Sequence, residues 1–225
     1  MNGDDFTGRD VFVIGASGAL GAGLAAAFAA SGATVTGLDR AEPAAGRKHD
    51  SVRYQAVDVL DDAALAAVFD QGPPPWAVVN TVGGFAGQRP LASLDPAELT
   101  AQLRLNLVSA ALVTKHALRR LTEAGEGRLV HTASRAATVT AGNGFAYSVS
   151  KLGVLHLVSM AADEVRGTGI TVNCVVPSII DTPANRSAMP EADHASWPKI
   201  PDIARAYLCL ASPAAHLTSG AAIPV

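Results

Sequence analysis

The stretch Val11-Phe-Val-Ile-Gly-Ala-Ser-Gly-Ala-Leu-Gly21 joins a short apolar run to a glycine-rich turn, and an alanine-rich segment follows it at once. The first glycine allows a tight turn, the second allows close approach of a ligand, and the third lets a helix pack against the strand. The helix N-terminus then directs its N–H groups at an anion. A glycine-rich turn can be purely structural, but its place after a first strand predicts a cradle for a dinucleotide pyrophosphate, formed by Gly15, Ser17, Gly18, Ala19, Leu20 and Gly21.

Outward from this turn, short apolar runs alternate with helical patterns along the chain. The runs are rich in valine and lie at residues 11–15, 34–38, 52–57, 77–81, 128–132 and 171–176. The helical patterns lie at residues 19–30, 61–69, 96–121 and 146–166, and each is followed by a glycine suited to a C-terminal cap. This alternation predicts an α/β fold with a single Rossmann-type, doubly wound parallel sheet and helices on both faces.

The length of 225 residues suits one large domain. No repeat or low-complexity linker interrupts the pattern, so residues 1–225 are predicted to form a single dinucleotide-binding catalytic domain. The segment around residues 177–200 differs, because it is rich in proline and polar residues and follows a strand end. Open α/β sheets bind ligands at that edge, which predicts a substrate loop there.

Composition excludes several classes of protein. A hydrophobic fraction of 49% with 16% charged residues is typical of a globular chain. The net charge of −3 and the lack of a basic cluster give no support for nucleic acid binding. The six histidines show no paired or cysteine-flanked spacing, so no metal site is expected.

The termini and cysteines bear on location. Residues 1–9 are polar and lack the apolar core of a signal peptide. The longest strongly apolar stretch, residues 19–30, is shorter than the ~20 residues that span a membrane. Cys174 and Cys209 lie far apart without a CxxC spacing, which favours free thiols in a reducing compartment. We therefore expect a cytoplasmic protein without a membrane partner.

Acidic residues at two strand ends indicate how a dinucleotide would bind. Asp39 ends the second strand, where a carboxylate can accept hydrogen bonds from adenosine ribose hydroxyls and repel the extra phosphate of NADP. Arg40 follows directly and could partly offset that repulsion, so NAD(H) is preferred with NADP(H) as the alternative. Asp58, followed by Val59, is placed to meet the adenine, or else to cap the next helix.

A tyrosine and a lysine begin a predicted helix as Tyr147-Ser-Val-Ser-Lys151. A spacing of four places both side chains on one helical face. A phenol with its free pKa of ~10 exchanges protons poorly at neutral pH, and a nearby ammonium favours the phenolate. Because Lys151 can also reach a nicotinamide ribose, Tyr147 and Lys151 are candidates for both catalysis and cofactor binding.

Ser134 lies thirteen positions before Tyr147 and just beyond a strand, which resembles the short-chain dehydrogenase/reductase family. That resemblance implies that the serine hydroxyl polarises the substrate oxygen while the tyrosine transfers the proton. It also implies that Asn106 holds a water in the proton relay. The alternative for Asn106 is a helix asparagine with a structural hydrogen bond.

Two further segments resemble the same family. Residues 80–84 are similar to its Asn-Asn-Ala-Gly segment, and residues 177–182 are similar to its Pro-Gly-x-x-x-Thr segment, with Ser178 in place of the glycine. In the glycine turn, Ala19 stands where the commonest family pattern has its middle glycine. The resemblance implies cofactor contacts, with the nicotinamide carboxamide at the second segment, from Asn80, Val82, Gly83, Pro177, Ile180 and Thr182.

Several segments, above all residues 181–197, resemble the dihydropteridine reductase-like branch of this family. The pterin enzymes lack a serine at the position of Ser134, because a quinonoid pterin is an imine-like acceptor. Ser134 therefore favours a small ketone, aldehyde or alcohol substrate, with quinonoid dihydropteridine reduction as the alternative. A non-catalytic dinucleotide-binding sensor is a third interpretation, against which the four catalytic candidates argue. Family members commonly associate through their long helices, which implies a homodimer or homotetramer.

Overall fold

Seven parallel strands form one sheet in the computed structural model, which describes residues 5–87, 89–139 and 144–225. Their order in space is β3-β2-β1-β4-β5-β6-β7. The chain order reverses between β1 and β4, so the carboxyl ends of these two strands frame the crevice in which open α/β sheets bind ligands. The strands are β1 Asp10–Ile14, β2 Thr34–Asp39, β3 Val52–Ala56, β4 Ala77–Asn80, β5 Glu126–Thr132, β6 Gly169–Val176 and β7 Ala222–Pro224.

Helices cover both faces of this sheet. On one face α1 packs against α7, and on the other α2, α4 and α5 pack side by side. The α-helices are α1 Ala19–Ala30, α2 Asp62–Phe69, α3 Pro96–Gln102, α4 Ser109–Ala124, α5 Phe145–Glu164, α6 Pro183–Ala188 and α7 Ile200–Ala211.

Consecutive residues of a strand pack into different hydrophobic cores, one on each face of the sheet. Phe12 and Val78 belong to the core under α2, α4 and α5, whereas Val13 and Val79 belong to the core under α1 and α7. Because both faces are buried, the strands are continuously apolar rather than alternating. The predicted fold class, a doubly wound parallel sheet, is confirmed.

The C-terminal α7 and β7 have no counterpart among the predicted elements. In α7, Ile203, Tyr207 and Leu210 are buried at helical spacing, with Pro201 in its first turn. That periodicity is a signal from which the helix could be predicted. β7 has only three residues, which is too short to show a pattern.

The predicted helix at residues 96–121 is interrupted. A π-helical segment, Leu103–Val108, separates α3 from α4. Its wider turn shows in the backbone, where the Ser109 N–H donates to the carbonyl of Arg104, five residues earlier. Such bulges frequently occur at functional sites, and this one contains Asn106.

α5 has 20 residues and is long and apolar enough to cross a membrane by length and composition alone. It is longer than residues 19–30, which the sequence alone indicates as the longest strongly apolar stretch. In the structure α5 packs against β6 and the π-helical segment. Its buried residues include Ser150 and Lys151, and its exposed apolar residues include Leu152 and Met160.

Candidate active site

The turn between β1 and α1 requires glycine at two positions. Gly15 has φ +86°, and a Cβ there would lie 2.5 Å from Thr81 Oγ1. A Cβ on Gly21 would lie 2.1 Å from the Gly15 carbonyl oxygen. Among the described residues, no side chain caps the N-terminus of α1, which starts at Ala19 behind Gly18 and continues through Leu20. The turn therefore presents free backbone N–H groups at the edge of the crevice.

Asp39 lies at the end of β2, against this turn. Its Oδ2 accepts from the Ser17 N–H at 3.0 Å, and its Oδ1 accepts from the Arg40 N–H at 2.7 Å. A second arginine, Arg47, donates to the Ser17 carbonyl at 3.1 Å. Arg47 is not among the cofactor-binding residues predicted from the sequence, because Ser17, the residue it contacts, lies thirty positions away. Asp39 is therefore bound by the backbone of the turn and of Arg40, and Arg47 contacts the same turn through the Ser17 carbonyl.

The crevice opens at the carboxyl ends of the central strands. It contains eight of the predicted cofactor residues, with Thr81, Val57, Leu60, Leu105 and Ser109 as additions that the sequence did not suggest. The alternative role of Asp58 as a helix cap is excluded, because Asp61 caps α2 by accepting from the Ala64 N–H at 3.0 Å. The lining residues are Gly15, Gly18, Asp39, Arg40, Val57, Asp58, Val59, Leu60, Thr81, Val82, Gly83, Leu105 and Ser109.

Tyr147 and Ser134 lie next to each other, outside the set of residues that lines the crevice. Tyr147 lies in the first turn of α5, and Ser134 follows β5, where its Oγ accepts from the Ala136 N–H at 3.2 Å. Burial raises the pKa of the Tyr147 phenol, and interaction with the Ser134 hydroxyl lowers that pKa to a smaller extent. The phenol and the serine hydroxyl can therefore address one substrate oxygen together.

Lys151 is 3% exposed, one helical turn beyond Tyr147. Burial lowers the pKa of the Lys151 ammonium to about 8. Its Nζ donates to the Thr132 carbonyl at 2.9 Å. The expectation that this ammonium lowers the pKa of Tyr147 is not met in this structure, because burial of the phenol raises that pKa.

Asn106 is fully buried in the π-helical segment. Its Oδ1 accepts from the Gly84 N–H at 2.9 Å, and its Nδ2 donates to the Gly84 carbonyl at 3.1 Å. The same Nδ2 also meets Gln102 Oε1 and Ser150 Oγ, at 3.1 and 3.0 Å. The Asn106 side chain therefore holds the segment after β4, which is the structural role given above as the alternative. Its role in a proton relay stays a prediction.

Gly83 lies between two catalytic candidates. A Cβ there would be 2.7 Å from both Asn106 Oδ1 and Lys151 Nζ. Any side chain at this position would therefore push one of them away. Asn80 supports the same turn, because its Oδ1 accepts from the Val82 N–H at 3.1 Å.

The segment predicted as a substrate loop is folded. It contains α6 and a short 3-10 turn, His194–Ser196. Thr182 caps α6 through the Asn185 N–H at 3.2 Å, and the Ile180 carbonyl accepts from Asn185 Nδ2 at 2.8 Å. Pro177 connects the loop to the serine turn, because its carbonyl accepts from the Arg135 N–H at 2.9 Å.

Within residues 5–87, 89–139 and 144–225, no group of three or more His, Cys, Asp or Glu side chains could hold a metal ion. His131 is fully buried and contacts Asn80. His116 Nε2 lies 2.7 Å from Asp62 Oδ1. These two histidines therefore have partners within the fold.

Comparison with known proteins assigns the family. The model of the short chain dehydrogenases matches residues 9–193, and the chain belongs to this family. The chain is 32% identical to cis-4-hydroxycyclohexanecarboxylate dehydrogenase of Sinomonas cyclohexanicum, over 99% of this chain and 97% of that protein. It is 33% identical to D-threitol dehydrogenase of Mycolicibacterium smegmatis, over 95% of this chain and 90% of that protein.

Solved structures of short-chain dehydrogenases have the same fold. A short-chain type dehydrogenase/reductase from Mycobacterium ulcerans superposes with a TM-score of 0.89 at 27% identity, covering 98% of this chain and 89% of that one. A short chain dehydrogenase from Escherichia coli CFT073, solved with NADPH, has a TM-score of 0.88 at 25% identity, covering 100% and 99%. The predicted family is confirmed, whereas these relatives give no support to the narrower dihydropteridine reductase-like branch.

Proposed function

We propose that this chain is an NAD(P)(H)-dependent oxidoreductase that interconverts a small ketone or aldehyde and the corresponding alcohol. The observation that carries the proposal is the proximity of Ser134 and Tyr147. The Lys151 ammonium lies one helical turn from Tyr147 and next to Gly83, which lines the crevice. The two relatives described above are, by their names, dehydrogenases of a hydroxycyclohexane carboxylate and of a polyol. Their substrates are alcohols, which supports the same class here.

The crevice suits a nicotinamide dinucleotide. The glycine cradle at Gly15 and Gly21 leaves no room for a Cβ, and the N-terminus of α1 presents N–H groups suited to a pyrophosphate. Asp39 and Asp58 line the adenosine side, and Val82 and Gly83 line the side nearer Lys151. When bound, the nicotinamide ring would donate or accept the hydride.

The chain's own residues then manage the oxygen and its proton. Ser134 donates a hydrogen bond to the carbonyl oxygen on which negative charge develops. The phenol of Tyr147 gives its proton to that oxygen in reduction. Because burial raises the pKa of Tyr147, the phenol stays protonated at neutral pH, which suits a proton donor. Lys151 holds a positive charge close to the ribose position while its Nζ donates to Thr132.

For the cofactor, the proposal is a preference for NADH. The Asp39 carboxylate accepts from Ser17 N–H in the glycine turn, so it faces the position of the adenosine ribose. A phosphate there would meet a fixed negative charge. Arg40 and Arg47 offer opposing positive charge nearby, which keeps NADPH as a second cofactor.

The test is turnover by the purified chain. We expect oxidation of NADH with a panel of small ketones and aldehydes, and reduction of NAD⁺ with the matching alcohols. A quinonoid dihydropterin is assayed alongside. Pterin turnover without any carbonyl turnover would replace the proposal with the pterin alternative, and cofactor binding without turnover of either would favour a sensor.

We also propose a homodimer or homotetramer working in the cytoplasm. On α5, Leu152 and Met160 are 52% and 60% exposed, and Val108 of the π-helical segment is 44% exposed. Such apolar side chains on the long helices support association of a second copy there. Both cysteines are free thiols, which is consistent with a reducing compartment. Light scattering of wild type and Leu152→Lys tests the association, since a monomeric wild type would contradict it.

A further inference from the structure

We propose that His131, on β5, is a positioning residue for the cofactor-binding turn after β4. The inference rests on the proposed function and adds a residue that makes no contact with substrate or cofactor. His131 is fully buried in the sheet. It connects α4 to the turn at residues 80–83 through a chain of hydrogen bonds that runs in one direction.

The chain begins at α4. The Thr114 hydroxyl donates to the Ala110 carbonyl at 2.8 Å, which uses its only proton. Thr114 Oγ1 lies 2.9 Å from His131 Nε2, so the hydroxyl oxygen must accept there and Nε2 must carry the ring proton. The neutral ring then has an unprotonated Nδ1.

The second half of the chain reaches the turn. Asn80 Nδ2 lies 3.1 Å from His131 Nδ1, and it donates to that nitrogen. The Asn80 amide is thereby oriented with its Oδ1 toward Val82, whose N–H it accepts at 3.1 Å. A reversed amide would set a donor against the Val82 donor and an oxygen against Nδ1, which buried groups do not tolerate.

The ring stays neutral over the working range. Burial, and to a lesser extent the positive charge of Lys151, lower the pKa of His131 to about 3. Thr114 and Asn80 supply the polar contacts of its two nitrogens, and neither titrates near neutral pH. The donor-to-acceptor direction of this series of hydrogen bonds is therefore the same throughout that pH range.

Thr132, the next residue on β5, holds the same asparagine from the other side. Its hydroxyl donates to the Asn80 carbonyl at 2.8 Å, and its own carbonyl accepts from Lys151 Nζ. Two adjacent residues of β5 therefore set the turn and the catalytic lysine relative to each other. Gly83 lies so close to Lys151 that a shift of the turn would disturb both.

The experiment compares His131→Leu, His131→Asn and wild type by the dissociation constant for NADH, measured by fluorescence without substrate. Leucine removes both ring nitrogens, and asparagine restores an acceptor near the position of Nδ1. We expect His131→Leu to weaken NADH binding by about tenfold or more, and His131→Asn to recover most of it. Thr114→Val, which removes the acceptor for Nε2–H, should weaken NADH binding in the same direction.

The matched control is Asn173→Leu on β6. Asn173 is also fully buried and bonds to Thr218 and Ala221, which lie in the connection to β7. It should lower the melting temperature without changing NADH affinity. Equal loss of NADH affinity in Asn173→Leu and His131→Leu would reduce His131 to a general stabilising residue and overturn the proposal.

A second measurement keeps the inference testable if His131→Leu does not fold. Nitrogen-15 NMR of histidine-labelled wild type should show a neutral His131 protonated at Nε2 between about pH 6 and 9, because the pKa lies far below this range. A His131 ring protonated at Nδ1 instead would overturn the series of hydrogen bonds described above. Wild type that does not bind NADH would refute the proposed function instead, whereas wild type and His131→Leu binding NADH equally would refute this inference alone.

Discussion

The ring of Phe85 meets the ring of Tyr147 edge-on, with 5.2 Å between the ring centroids and 86° between the ring planes. Phe85 is 54% exposed and follows Gly83 and Gly84. We expect this large, exposed apolar ring beside the Tyr147 phenol to provide a wall for the body of a substrate. The substrate whose oxygen meets Tyr147 is therefore expected to carry hydrocarbon next to its carbonyl carbon.

Phe85→Ala tests this wall. We expect kcat/KM for a cyclic ketone to fall by about tenfold, the equivalent of roughly 1.4 kcal/mol of lost apolar contact, and kcat/KM for a two-carbon aldehyde to change little. Leu217→Ala is the control, because Leu217 is 86% exposed and lies near the C-terminus. An equal loss for both substrates would mean that Phe85 acts through Tyr147 and not as an apolar wall, and no loss for the cyclic ketone would place Phe85 outside the substrate site.

Asp39→Asn tests the cofactor preference. Wild type should have kcat/KM for NADH at least about tenfold above that for NADPH, or roughly 1.4 kcal/mol. The amide keeps an acceptor for the Ser17 N–H, gives up the one for the Arg40 N–H and removes the charge, so the ratio should move toward NADPH. Asp50→Asn, an exposed aspartate outside the crevice, should leave it unchanged. Equal efficiency with both cofactors in wild type would mean that Arg40 and Arg47 offset Asp39.

Ser134→Ala separates carbonyl from pterin reduction. Loss of the hydroxyl should lower kcat for a ketone by about 10²–10³ with NADH affinity near wild type. A quinonoid dihydropterin should be reduced almost as well by the variant, because an imine-like acceptor does not need that donor. Tyr147→Phe is the reference that should damage both reactions. Pterin turnover insensitive to Ser134→Ala, in a protein without carbonyl activity, would contradict the proposed substrate class.

Lys151 predicts how stability depends on pH. Its pKa is lowered to about 8 in the folded state, from an ordinary value of 10.5, because of burial. Between these values the unfolded chain binds more protons, so this group makes stability rise with pH through that window, and its destabilising effect is fully present below about pH 8. Lys151→Met removes the contribution. Urea denaturation at pH 7, 8 and 9 should show a larger upward trend in wild type than in the variant, and parallel trends would refute the shift.

The loop after β6 is expected to close over substrate. Arg186 pairs with Asp181 at 2.6 and 2.9 Å, and the rings of His194 and Trp197 lie with centroids 4.6 Å apart and planes tilted by 52°. The loop therefore has internal contacts that can hold a closed form. Hydrogen exchange of residues 183–197 should slow when cofactor and substrate are both present. Exchange that is the same with and without the ternary complex would argue against a lid.

The glycine turn, the strand ends and the Tyr147–Lys151 spacing were predictable because their partners lie within one helix or one βα unit. Asp39 and Asp58 were found in the same way, from their position at strand ends. The raised pKa of Tyr147 could not be predicted from the sequence, because burial of the phenol depends on the packing of elements far apart in sequence. His131 was also missed, because its role depends on Thr114 and Asn80, which lie on different elements.

The π-helical segment makes the place of Asn106 depend on residue count as well as residue identity. One extra residue in an α-helix produces such a wide turn. Deleting a single residue between Asn106 and Ser109 would let the helix run on regularly, and each residue before the cut would rotate by about 100° around the axis. The asparagine would then leave Gly84 although its codon was untouched. Length polymorphism in this segment is therefore expected to be as harmful as substitution of the asparagine itself.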